Sequence, residues 1–143
     1  MAGHVNILKL SVGTKSVEGL AKWQKRPQVR TADGHPRHVT RMWPRREAEI
    51  VAGGSIYWVI KGVVLCRQRI LRLEEVVRAD GIRRCGLVLD PELVPTAAQP
   101  RKAFQGWRYL VPADAPRDLP AGAAAETALP PKLAAALSEI GVL

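Results

Sequence analysis

SIYWVIKGVVLCRQRILRLEEVVRADGIRRCGLVLD, residues 55–90, is the stretch that decides the fold. It is dense in β-branched and aromatic residues and divides into runs at 55–62, 63–76 and 81–90. Ala79-Asp80-Gly81 supplies a hairpin turn between the last two. Three consecutive strands joined this tightly can pair only antiparallel, so the spacing predicts a meander.

The middle run carries an irregularity. Val63, Leu65, Leu71 and Leu73 share one parity, and Arg67 and Arg69 fall on that same parity between them. A continuous buried face does not tolerate two unpaired guanidinium groups. Either a bulge flips the register near Gln68, or the face opens there onto a groove. The third reading places both arginines at an edge, paired with Glu74, Glu75 or a C-terminal acid. On the groove reading, Arg67, Gln68 and Arg69 contact phosphates or base edges.

Upstream, HVNILKL (4–10) reads as a strand, and Ser16 as the N-cap of a helix over Val17 to Lys25 that Pro27 stops. QVRTADGHP is a loop and HVTRM a strand. Pro44 suits the first position of a short helix through RREAEIVA, which Gly53-Gly54 closes. Downstream, PELVPT and FQGWRYL (104–110) add short strands. These elements predict a single α+β domain over 1–110, built as a small curled antiparallel or mixed sheet or a β-barrel, with two or three short helices at its rim. Residues 111–130 are rich in Pro and Ala and read as an extended segment. A closing helix over 131–143 is expected to dock on the body.

The chain has 143 residues, with 22 basic against 13 acidic side chains and a net charge of +9. Residues 1–50 hold 10 basic and 4 acidic groups, residues 51–110 hold 10 and 5, and residues 111–143 hold 2 and 4. The positive charge belongs to the body, which favours a phosphate-bearing partner. The 15 Arg against 7 Lys admit a second source for the excess, a genome rich in G and C. No apolar run approaches the ~20 residues that cross a bilayer. No membrane partner is expected, and a reduced, cytosolic setting suits the lone pair Cys66 and Cys85, which read as buried thiols.

Motifs for chemistry are few. GTKS (13–16) lies between a strand and a helix, but lacks the upstream glycine and the adjacent Gly-Lys of a phosphate loop, so a capped helix start is the reading. His35 and His38 are too few for a zinc site, which wants three or four convergent ligands. No cofactor is expected.

RHVTRMWPRR (37–46) places Arg37, Arg41, Arg45 and Arg46 with His38 around Trp43, and Trp107 precedes Arg108 in FQGWRY. Indole faces stack on bases and nearby arginines attract phosphate. The expected role is nucleic-acid binding, RNA rather than DNA. Arg37, His38, Arg41, Trp43, Arg45 and Arg46 form its centre, with Arg67, Gln68, Arg69, Trp107 and Arg108 around them. An enzyme acting on a phosphorylated or nucleotide substrate, with His38 or the His35 region as acid–base group, stays open. So does a protein–protein adaptor that uses its tryptophans.

HVTRMWPRR, GGSIYWVIKGVVLCRQRI, DGIRRCGLVLDPELV and FQGWRYL, in that order, resemble the bacterial family known as domain of unknown function 1489, over nearly the whole chain up to Leu119. Gly54 to Asp90 is also similar to the core of PUA-like domains, including the EVE and ASCH groups. That likeness implies a small β-barrel that binds RNA or modified nucleobases in a basic, aromatic-lined cleft. Ser55 departs from it, standing where many such domains carry an acid.

Overall fold

The structure is a computed structural model and describes residues 3–119. Strand β1 (Asn6–Leu10) leads into helix α1 (Val17–Gln24), whose Ser16 cap accepts a hydrogen bond from the Gly19 amide at 3.0 Å. Edge strand β2 (Arg37–Thr40) and helix α2 (Glu47–Val51) follow. The meander comprises β3 (Ser55–Ile60), β4 (Val63–Val77) and β5 (Arg83–Leu89), with β6 (Val94–Pro100) and β7 (Trp107–Leu110) after it. The turn before β5 closes through the Gly81 amide on Arg78 O at 2.9 Å.

The strands make one mixed sheet ordered β2-β5-β4-β3-β1-β7, with β6 beside β4. Only β1 and β3 pair in parallel, since α1, β2 and α2 cross between them. The other pairs are antiparallel. β5 and β6 lie end to end along one edge of β4, whose 15 residues therefore serve two parts of the sheet.

The expected curl is present, and a bridge between the two edge strands reveals it. Trp107 Nε1 donates to Met42 O at 3.2 Å, and the amides of Arg45 and Arg46 donate to the Tyr109 hydroxyl at 2.9 and 3.2 Å. Met42 lies two residues past the end of β2, a reach of at most about 7 Å. Five strand spacings in a flat sheet would separate β2 from β7 by about 24 Å. The sheet must bend to bring them together, yet β2 and β7 do not pair, so it stays open.

Helix α2 begins at Glu47, three residues beyond the Pro44 start that the sequence predicts. Arg46 stands at the N-cap with a ψ of 42°, outside the helical range, and the amides of Arg45 and Arg46 donate to the Tyr109 hydroxyl.

The inner face of the curl holds the main core. Ile7, Leu20, Ile50, Ile56, Trp58, Cys66, Ile70, Leu87 and Leu89 are buried there. Leu8, Tyr57, Val59, Val64 and Leu110 make a smaller cluster on the outer face, against Ala115. Residues 111–119 run across that outer face and are tied to β6 by Ala97 N to Arg117 O at 2.8 Å and Leu119 N to Pro95 O at 2.9 Å.

Gly54 begins β3 at a crossing of backbones. A Cβ there would stand 2.1 Å from Val5 O and 2.7 Å from Ile50 O. Cys66 and Cys85 are free and buried, as their apolar setting predicts. No helix among the described residues is long and apolar enough to cross a membrane. The rest of the extended segment, residues 120–130, and the closing helix over 131–143 lie outside the described residues.

Candidate functional site

The phase of β4 decides where its arginines point. Val59 pairs with Val64 but Trp58 with Cys66, which leaves Leu65 as an extra residue. A second shift falls between Ile70 and Arg72, at Leu71. Between these two bulges Cys66, Gln68 and Ile70 face the inner core, and Arg67 and Arg69 face outward. The apolar parity across 63–73 thus joins residues from different phases of the strand.

Gln68 is fully enclosed. Its amide exchanges two 2.7 Å hydrogen bonds with Gln24, accepts from Trp58 Nε1 at 2.8 Å, and donates to Asp90 O at 3.0 Å. Every donor and acceptor of the group is used within the fold, which leaves nothing for a ligand.

The RHVTRMWPRR residues do not converge on one hollow. Arg37 pairs with Glu74 at 3.1 Å at the β2 edge, and its stem lies over Gly86. Trp43 packs on the inner core, donates to Glu47 at 3.1 Å, and carries the Arg83 guanidinium 4.1 Å above its ring. Arg46 pairs with Glu49 and lies over Tyr109. Arg41 and Arg45 are exposed. Trp107 packs edge-on against Tyr109 with its N–H committed to Met42. This group forms the bridge that holds the curl, and the ring face of Trp43 is already covered by a cation.

Two concavities stand out among the described residues. The first, about 220 Å³, opens beneath α1 where β1, β2 and β3 meet. Lys9, Arg37 and His38 line it together with Trp23, Trp58, Ser11 and Thr14. Among the described residues, no carboxylate lines it. Burial holds the Lys9 ammonium below its ordinary range. Burial first, and then the nearby Lys9 charge, push His38 down to about 4, so its ring is neutral at pH 7. That ring stands edge-on to Trp58 at 5.3 Å, and its Nε2 is sealed without a hydrogen-bond partner among the described residues. Trp23 is 45 % exposed at the rim, with the Arg26 guanidinium 4.7 Å from its ring centre. The Ser11 and Thr14 hydroxyls are hydrogen-bonded to each other in the loop after β1.

The second concavity, about 420 Å³, lies on the outer face. Pairing registers align Arg108, Leu8, Tyr57 and Arg67 in one row across four strands, and Leu110, Asn6, Ser55 and Arg69 in the next. Arg67 grips Asp118 through Nε and Nη2 at 2.7 Å each, and its Nη1 donates to Ser55 Oγ at 3.0 Å. A C-terminal acid therefore does pair with Arg67, while Arg69 is exposed and has no ion pair among the described residues. The bulges on either side of Gln68 realise the register flip, and Arg67 has the expected C-terminal acid as its partner, though on a central strand and not at an edge. Arg108 shares the outer face and lies 5.5 Å from the Phe104 ring centre.

Of the residues singled out from the sequence, the fold brings Arg37 and His38 to the first concavity, and Arg67 and Arg69 to the second. Sequence reasoning passed over Lys9, Trp23, Ser55, Tyr57 and Arg117. Lys9, a lone cation in an apolar strand, was the available signal for the first site.

The chain belongs to the family described as Protein of unknown function (DUF1489), whose model matches residues 7–143. No curated protein and no solved structure matches it.

Proposed function

We propose that this family member is a cytosolic nucleic-acid-binding module that takes a single-stranded or flipped base, of RNA rather than DNA, into the cavity beneath α1. The observation that carries this reading is the lining of that cavity: two cations, Lys9 and Arg37, a neutral histidine and two indoles, with no carboxylate among the described residues. A poorly solvated lysine without an acid partner gains most from a ligand phosphate. The exposed indole of Trp23, with the Arg26 guanidinium 4.7 Å from its ring centre, sets an aromatic surface and a cation together at the mouth. Neutral His38, whose Nε2 is buried without a partner among the described residues, adds a polar group to the cavity wall without adding charge. At about 220 Å³ the cavity falls below the range of drug-sized pockets. That favours one base over a large cofactor. The likeness of Gly54–Asp90 to PUA-like domains, which bind RNA or modified bases, points the same way by analogy.

The test is fluorescence anisotropy of a labelled single-stranded RNA with the full chain. Two phosphate contacts, from Lys9 and Arg37, should lower affinity for a single strand about sevenfold between 50 and 200 mM salt. Trp23→Ala should weaken binding by about five- to a hundredfold if a base stacks there. A change below threefold with salt, together with unaltered binding by Trp23→Ala, overturns the reading.

A further inference from the structure

We propose that the outer-face cleft is a separate binding site for a small phosphate monoester, clamped by Arg67 and Arg69, and that Asp118 is an internal occupant which the ligand displaces. The site lies on the opposite face of the sheet from the cavity beneath α1 and does not depend on it.

Charge is the first argument. Among the described residues, Arg67, Arg69 and Arg117 line the cleft against a single acid, Asp118, so two positive charges are left in excess. A carboxylate ligand would balance one of them. A phosphate monoester carries about −1.5 to −2 near pH 7, so it can take the place of Asp118 and still offset more of the three guanidinium charges than a carboxylate does.

Geometry is the second. Arg67 and Arg69 are two residues apart on one face of β4, a separation of about 6.6 Å along the strand. One tetrahedral phosphate can be reached by both guanidinium groups. Arg67 already shows what it binds: the fork of its Nε and Nη2 on Asp118 is the bidentate grip that arginine uses for carboxylate and phosphate alike. Ser55 Oγ fixes the third arm of that guanidinium. Burial raises the Tyr57 phenol above its ordinary range, which keeps its hydroxyl a donor at neutral pH.

Size is the third. At about 420 Å³ the cleft exceeds what a bare phosphate fills and lies in the range of small-molecule sites. Residues 112–118 wall one side, so the space suits a compact organic phosphate rather than a continuous strand.

The experiment is an isothermal titration of the full chain with glycerol 3-phosphate, inorganic phosphate and acetate, repeated on three variants. Both phosphates should bind and acetate should not. Exposed Arg69 can be removed without disturbing the core, and Arg69→Ala should weaken phosphate about tenfold. Asp118→Asn removes the internal competitor and should tighten binding several-fold, whereas a purely structural ion pair would give no gain. Lys9→Met should leave phosphate affinity unchanged, since Lys9 is the phosphate contact of the cavity beneath α1, and this separates the site from the nucleic-acid reading. Equal affinity in wild type and Arg69→Ala, or unchanged or weaker binding in Asp118→Asn, overturns the proposal.

Discussion

Gln68 and Gln24 face each other as a closed amide pair, each donating to the other at 2.7 Å, although 44 residues separate them in the chain. The pair locks α1 onto the inner face of β4, and it holds the Trp58 N–H in place as well. Removing one member strands the rest, because a buried donor or acceptor without a partner costs about 1–3 kcal/mol. Gln68→Ala should therefore lower stability by about 3–5 kcal/mol, counting the stranded amide, indole and Asp90 carbonyl. Urea unfolding measures this. A loss below about 1 kcal/mol would mean that water replaces the network.

His38 makes stability depend on pH over a defined window. Its folded value, about 4, lies below the ordinary 6.5, so between these values the unfolded chain binds a proton that the folded chain refuses. Stability is full above pH 6.5 and falls as pH drops toward 4, by about 2–3 kcal/mol. His38→Gln, which cannot titrate, should flatten the slope in this window. Asp33, held down to about 2 chiefly by its Thr31 hydrogen bond, contributes a separate loss below pH 4. Asp80, depressed further by Arg84, adds to that second loss. Denaturant midpoints across pH 3–8 should thus show two phases in the wild type and only the lower one in the variant.

Gly54→Ala tests the backbone crossing that starts β3. The nearest atoms to an added methyl are carbonyl oxygens of Val5 and Ile50, which no rotamer change can move. The expected loss is about 3 kcal/mol or more, at the upper end for overpacking. Thermal melts of the variant would show it, and a wild-type melting temperature would contradict the close approach.

Burial pushes both thiols up to about 12, Cys66 by desolvation alone and Cys85 chiefly by desolvation. At pH 8 neither should react with an aromatic disulfide reagent in the folded protein, while both should react at once in denaturant. Rapid modification of a single thiol under native conditions would show that its strand opens locally.

The meander and the curl were legible because 55–90 combines β-branched residues with short turns, a local signal that tertiary contacts did not override. The phase of β4 was not legible. Apolar residues at 63, 65, 71 and 73 look like one face, but bulges at Leu65 and Leu71 divide the strand, and Cys66, Gln68 and Ile70 turn inward between them. Gln68 could be recognised as core only from Gln24, and the cover over Trp43 only from Arg83. Both partners are distant in sequence. The GTKS loop was read as a plain helix start, and Ser16 does cap α1. Thr14 of the same loop lines the cavity beneath the helix, a placement set by how α1 lies across the sheet.

The long fourth strand has an architectural consequence. It is the shared seam of the molecule, so severing the chain anywhere in 63–77 would rob both parts of the sheet of a border. A cut at the Arg78–Gly81 turn instead leaves that seam whole on one fragment. Two pieces divided there could reassemble on mixing, with the second supplying β5, β6 and β7 as docking strands.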